Sequence, residues 1–400
     1  MNILAVSFFV FFPILSMPFL VFLSINQRFR ENIPLLCVAL ALGLLSYAYI
    51  PDESKDIYRH YLLVRDLNIY GSELLVYLLQ FIGGPALFYL IAYSAGTLDI
   101  FNLMPLVMVT MAYGFYLIGI KNVFENHHIH DKFVIFVAFA WVFSSLSYPF
   151  ISTNLRQPLA VSLVFYFLQK RHMNMPLFSL LLLAASLLHV TGALMAACFF
   201  IAYFWMNKTY KDLFFSCLIL FSALLILYFL DYNFLNFLGY NFGIEDKLSL
   251  YENAKDTDEY TFEVFWKFLL LSYLNACTFL LLFFQIRISN YWILVKNSLE
   301  VRFSIVFFGV SLLFFHNAIV FQRLTFYLPL FGVSILSVYL KRQNKSSVLF
   351  WLTMLLLLIT ICYGILFQWA NFGGYNYWYG VFYRDVFSIL FLSRNYFLNI

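Results

Sequence analysis

Apolar runs of about 15 to 22 residues recur along the chain, separated by short polar stretches, and they limit the fold more than any other feature. In hydrocarbon every backbone N–H and C=O must be satisfied internally, so only helices and closed barrels can cross. The runs lack the alternation of inward and outward residues that barrel strands require. The expected fold is therefore an all-α polytopic bundle. Composition closes the soluble route: 63% of the 400 residues are apolar and 11% are charged, where a soluble domain carries about 25%. Aromatic residues alone make up 22%, more than one domain core would hide from water.

Spans are expected at about 3–25, 33–50, 101–120, 133–151, 155–169, 175–188, 190–206, 213–230, 263–286, 303–321, 324–340 and 347–368, which makes about twelve crossings. The first run lacks a basic leader and an A-x-A-like cleavage site, so it is read as a span and not as a removable signal. The stretch 73–98 is apolar but is broken by Gly83, Gly84 and Pro85, and reads as an interfacial or re-entrant segment. With that choice, the loops 26–32, 121–132, 170–174, 207–212, 287–302 and 341–345 hold 14 Lys and Arg against 5 acids; the rest of the chain holds 10 against 15. The positive-inside rule puts those loops in the cytoplasm. Both termini and two long polar loops, 51–72 and 231–262, then lie outside. No composition shift or internal repeat divides the chain, so 1–400 reads as one membrane domain.

The net charge of +4 is scattered between apolar runs and forms no basic face, so nucleic acid is not an expected partner. The five cysteines lie in or beside apolar runs without metal-type spacing and read as packing residues. P-loop, Rossmann, G-x-S-x-G and zinc motifs are lacking, which leaves a nucleotide-driven pump or a cytosolic-type hydrolase unsupported. No cofactor is expected.

Polytopic proteins declare function through ionisable groups at membrane depth and through loops crowding one face. The first external loop runs Pro51-Asp52-Glu53-Ser54-Lys55-Asp56-Ile57-Tyr58-Arg59-His60-Tyr61. Its acids suit a helix N-terminus, and Ile57, Tyr61 and Val64 fall at helical spacing, so an amphipathic helix on the outer surface is expected. Asp56 then lies one turn from Arg59 and His60, a cluster fit for acid–base work or for orienting a hydroxyl, unless it is a solvated helix face. In Ser152-Thr153-Asn154-Leu155-Arg156-Gln157-Pro158 a polar knot opens a span with an arginine. A guanidinium fork there suits a phosphate or carboxylate; the alternative is an arginine snorkelling to the interface. His189 interrupts a long apolar run bounded by two basic loops, which demands a hairpin with His189 at its outer tip, as a proton carrier, an anion donor or a plain tip residue. His316-Asn317 precedes Gln322-Arg323, with Tyr327 beyond, and Arg323 at the outer start of a span would complement Arg156 around a diphosphate.

The loop 231–262 interleaves carboxylates with tyrosines, a surface type that holds sugars. It includes Asp256-Thr257-Asp258, readable as a metal tripeptide or as ordinary solvated loop. His127-His128-x-His130 lacks a fourth ligand, and no metal site is assigned. The tail 371–379 is aromatic and reads first as an interfacial belt.

In order along the chain these features resemble the bacterial polysaccharide polymerases of the Wzy and EpsG type. The resemblance rests on the Asp52–Tyr61 segment, on Arg156-Gln157-Pro158-Leu159-Ala160, on the basic turn Lys170-Arg171-His172, on Ala184-Ala185-Ser186-Leu187-Leu188-His189, and on Gln322-Arg323-Leu324-Thr325-Phe326-Tyr327. It is strongest over 150–200. It implies a multi-pass enzyme of the bacterial cytoplasmic (inner) membrane with GT-C-like glycosyltransferase architecture, its site facing the periplasm. Its substrate would be an oligosaccharide repeat unit linked through diphosphate to undecaprenyl, and a chain-length regulator is an implied partner beside membrane lipid. On that basis Arg156, Arg323 and Gln157 are assigned to the diphosphate and His189 and Asp56 to the reacting centre. Arg59, Tyr58, Asp52, Gln322 and His316 are assigned to the acceptor glycan. A flippase for the same lipid-linked glycan, an O-antigen ligase and a non-enzymatic scaffold are the competing readings.

Overall fold

The computed structural model describes residues 2–27, 31–50, 56–79, 85–146, 148–170, 175–206, 259–288, 298–315, 318–342, 347–372, 376–377 and 380–392. Regular structure among them is helical apart from one pair of two-residue strands. The chain begins with α1 (Asn2–Phe11), α2 (Met17–Asn26) and α3 (Asn32–Tyr47), then β1 (Tyr49–Ile50), α4 (Asp56–Tyr77), α5 (Ala86–Thr97) and α6 (Leu103–Asn126). It continues with α7 (Lys132–Ser145), α8 (Tyr148–Thr153), α9 (Arg156–Leu168), α10 (Met175–Leu188) and α11 (Val190–Met206). After the undescribed 207–258 come α12 (Glu259–Ile288), α13 (Leu299–Leu313), α14 (Ala318–Thr325), α15 (Leu328–Arg342) and α16 (Val348–Phe372). The last elements are β2 (Asn376–Tyr377) and α17 (Val386–Leu392). Among the described residues three helices, α6, α12 and α16, are long and apolar enough to cross a membrane.

Several expected spans are broken. The first divides into α1 and α2 because Pro13 has no N–H and its ring opposes the preceding turn. Ser16 Oγ donates to the Pro13 carbonyl at 2.7 Å in the bend. The apolar run at 303–321 ends as a helix at Leu313 and resumes as α14. The run at 133–151 stops at Ser145 and is followed by the single short turn of α8. The expected span at 213–230 lies outside the described residues. The stretch 73–98 divides between the end of α4, kinked at Gly71 with φ +59°, where a side chain is disfavoured, and the separate helix α5.

Loops far apart in sequence meet on one face. Lys121 Nζ donates to Asn32 Oδ1 at 2.8 Å, and Lys132 Nζ to Asn26 Oδ1 at 2.5 Å. Asn126 Nδ2 donates to the Gln169 carbonyl at 2.8 Å. Lys341 Nζ donates to the His127 and His128 carbonyls, and His127 Nε2 stands 3.3 Å from Glu300 Oε1. Five of the six basic loop regions are thereby gathered at one end of the bundle. At the other end, Asn102 Nδ2 donates to the Tyr47 carbonyl at 2.7 Å, and β1 pairs antiparallel with β2, Tyr49 opposite Tyr377.

Between these faces α6 packs along α3 and α9, and α15 packs against α7, α12 and α13. Phe331 of α15 is surrounded by Phe165, Phe303 and Phe307, with ring centroids 5.7, 4.9 and 5.0 Å away. A polar node joins α7 to α12, where buried Asn275 Oδ1 accepts from Trp141 Nε1 at 3.2 Å and from Ser145 Oγ at 3.0 Å. Hydrogen bonds of this kind add roughly 0.6 kcal/mol each between membrane helices, where lipid offers no hydrophobic drive to association.

Helix length sets the architecture of the far face. From the basic face α6, with 24 residues, and α16, with 25, rise about 36 Å at 1.5 Å per residue. By contrast α7, α9, α10, α13 and α15 have 13 to 15 residues and rise only about 20 Å. These short helices form hairpins or interrupted hairpins, α7–α8–α9, α10–α11 and α13–α14–α15. Each of the helices α7, α9, α10, α13 and α15 is shorter than α6 and α16 by roughly ten residues.

Candidate functional site

These three hairpin units carry Arg156, His189 and Arg323 in turn. Arg156 is the first residue of α9 and is half-buried. Gly119 of α6 packs directly on Phe165 and Tyr166 of α9. Counting upward from that crossing, Arg156 is level with the second turn of α6, about 10 Å below its start. A cation at a helix N-terminus works against the helix dipole and adds nothing to helix stability. Its placement raises the positive potential at that point, as an anion site needs. Pro158 is accommodated because it falls in the first helical turn, where the missing N–H has no intrahelical partner to lose. Gln157 is 3% exposed, and its Oε1 accepts no hydrogen bond among the described residues.

The Arg156 guanidinium sits over the ring of Phe88, with Cζ 4.9 Å from the centroid. Phe88 is buried near the start of α5, and the imidazole of His60 meets its edge at 5.0 Å and 62°. His60 belongs to α4, whose buried stripe is Ile57, His60, Tyr61, Val64 and Leu67. The segment between α3 and α6 therefore reaches Arg156 through Phe88. It is tied at its other end by Asn68 Nδ2 donating to Asp99 Oδ1 at 3.2 Å. On this segment Tyr58 is half-buried and Arg59 exposed, while Asp56 begins α4. Asp52 lies outside the described residues.

His189 separates α10 from α11 and is half-buried. It follows the 14 residues of α10, as Arg156 opens the 13 residues of α9. Its Nδ1 accepts from the Thr191 backbone N–H at 3.1 Å and lies 2.9 Å from Thr191 Oγ1. That network assigns the neutral ring proton to Nε2, so the ring presents a donor and not a lone pair away from the backbone. The hairpin closes this tightly because residue 192 is glycine: a Cβ there would stand 2.1 Å from the Ala185 carbonyl oxygen.

Arg323 lies in the last turn of α14 and is half-buried, as is Gln322. Tyr327, one turn on, is 1% exposed and its hydroxyl has no hydrogen-bond partner among the described residues. Phe326 and Tyr327 pack on Phe150 of α8, with centroids 5.1 and 6.0 Å away. The polar knot before Arg156 and the turn after Arg323 thus share α8 as a common wall. Thr153 and Asn154 of that knot are held by the Pro149 and Phe150 carbonyls. His316, residues 231–258 with Asp256-Thr257-Asp258, and most of the aromatic tail lie outside the described residues.

Sequence reading missed Phe88; its only signal was the break at Gly83-Gly84-Pro85, which marks where a chain can turn back into the bundle. Tyr327 drew notice only as a neighbour of Arg323. His127 of the histidine tract is an ion-pair partner of Glu300 on the opposite face. Arg156 is tied to Phe88 and through it to His60, His189 to Thr191, and the Phe326-Tyr327 pair after Arg323 to Phe150 of α8. Comparison with family models, with characterised proteins and with solved structures returns no match.

Proposed function

We propose that this chain is a membrane glycosyltransferase of about twelve spans and GT-C-like architecture that joins diphosphate-linked oligosaccharide repeat units into a polymer. In this reading the basic face is cytoplasmic, the site opens to the periplasmic side of a bacterial inner membrane, and the carrier is undecaprenyl diphosphate. The observation that supports it is that Arg156 opens α9, His189 separates α10 from α11 and Arg323 closes α14, each at a helix end and each half-buried.

The chemistry asks little else of the protein. An acceptor hydroxyl attacks the anomeric carbon of the donor sugar, the bond from that carbon to the diphosphate oxygen breaks, and the hydroxyl proton leaves to a base. The departing lipid diphosphate gathers negative charge, which two guanidinium groups and an imidazole N–H are suited to hold in a site of low dielectric. With Nδ1 of His189 engaged, its part is donation to the leaving group and not proton abstraction. Proton abstraction then falls to the external segment, where Asp56 is the candidate base and Asp52, Tyr58, Arg59, Gln322 and His316 contact the acceptor. A one-sided recess favours this reading over a flippase, which needs charge along a path through the bilayer.

The test uses liposomes that hold the protein and the lipid-diphosphate-linked repeat unit. The expected result is a ladder of glycans, unchanged by chelator, that vanishes in Arg156→Ala and Arg323→Ala at equal protein level. Transbilayer movement of the repeat unit without a ladder would mean transport, and a ladder unchanged in both variants would remove the site.

A further inference from the structure

Phe88 links His60 of α4 to Arg156 of α9. It is 1% exposed, it lies near the start of α5, and it stands with the Arg156 Cζ 4.9 Å from its ring centroid. On its edge it receives His60 of α4 at 5.0 Å. An aromatic ring attracts a cation through its quadrupole, most strongly where water is absent. It takes up no N–H of the guanidinium in doing so, whereas a carboxylate in the same place would both occupy the fork and cancel its charge.

We infer that Phe88 is a positioning residue that holds Arg156 ready for the substrate diphosphate, so that the α4–α5 segment sets the strength of the anion site. This rests on the glycosyltransferase reading of the same site. The ring does not touch the reacting atoms; it acts by fixing where the guanidinium stands and by keeping its charge. The coupling has a direction: a displacement of α5 carries Phe88 away from Arg156, and loosening α4 does the same through His60.

The experiment measures binding of farnesyl diphosphate to the purified full chain in detergent, by ligand-dependent shift of the melting temperature, together with polymerisation in liposomes. Phe88→Leu keeps an apolar side chain of similar size without a quadrupole, Phe88→Tyr keeps the quadrupole, and fluorinated phenylalanines at position 88 weaken it stepwise with little change of shape. The expected result is a loss of diphosphate affinity of about tenfold in Phe88→Leu, near-normal affinity in Phe88→Tyr, and a graded loss along the fluorinated series. The KM for the repeat unit should rise in the same order, and the ligand-free melting temperature should not follow that order. A structural role alone predicts that fluorination leaves affinity unchanged, and that outcome overturns the inference while wild-type binding stands. Absence of diphosphate binding by the wild type would overturn the glycosyltransferase reading itself. If Phe88→Leu does not fold, the fluorinated series still decides the matter.

Discussion

Replacing Arg156 by alanine tests the site most directly, and the fold sets the size of the expected loss. A unit charge 4 Å from another contributes about 1 kcal/mol in bulk water and about 4 kcal/mol at an effective dielectric near 20. Arg156 is half-buried on a helix of 13 residues whose start is recessed about 10 Å below that of α6, so the higher figure applies to charge developing on a leaving diphosphate. Water entering the vacated space recovers part of this, which leaves about 3 kcal/mol, a fall in turnover on the order of 100-fold. Arg156→Lys keeps the charge but loses the fork and should fall by about tenfold. Initial rates of glycan-ladder formation in liposomes, normalised to inserted protein, give the numbers. A loss below about fivefold in Arg156→Ala would place the guanidinium in water and refute the recess as the reacting site. In the double variant with Arg323→Ala, the combined loss should fall short of the product of the single losses if both groups hold one diphosphate.

Three other perturbations follow from the packing. Asn275→Leu removes the acceptor of the buried Trp141 and Ser145 donors, and should lower the melting temperature in detergent through a loss of about 1 to 3 kcal/mol; an unchanged melt would mean that these donors find other partners. Gly192→Val places a side chain where a Cβ already meets the Ala185 carbonyl at 2.1 Å, so the His189 tip must open; activity should drop more than tenfold while Gly192→Ala falls between, and equal activity in all three refutes the tip's role. On the basic face, burial works to raise the Glu300 carboxyl, but the hydrogen bond and charge of His127, with help from Ser298, hold it below its usual range. A depressed carboxylate adds stability above its unfolded value, and that contribution is lost as the pH falls through the lower folded value. Melting temperature should therefore drop at acid pH below the ordinary glutamate range, and Glu300→Gln should flatten that part of the profile; a parallel curve would exclude the pair as its cause.

How far the sequence determined this protein is clearest residue by residue. Hydrophobic run length sufficed for an all-helical chain, and it matched α10 at Met175–Leu188 and α11 at Val190–Met206 to the residue, because a run flanked by basic loops and split by one histidine admits little else. The basic loops were legible as one set from their charge alone. The bend at Pro13 was also written in the sequence, yet an unbroken apolar run concealed it, since hydropathy does not register a missing N–H. Arg156, His189 and Arg323 stood out because polar groups are costly beside apolar runs, but the packing around each of them did not. Phe88 under Arg156, Asn275 between Trp141 and Ser145, Lys341 on the His127 carbonyl and Tyr49 against Tyr377 join residues from 68 to more than 300 positions apart. Local periodicity states which face of a helix is apolar, whereas the partner that face meets is settled only when all the helices pack at once.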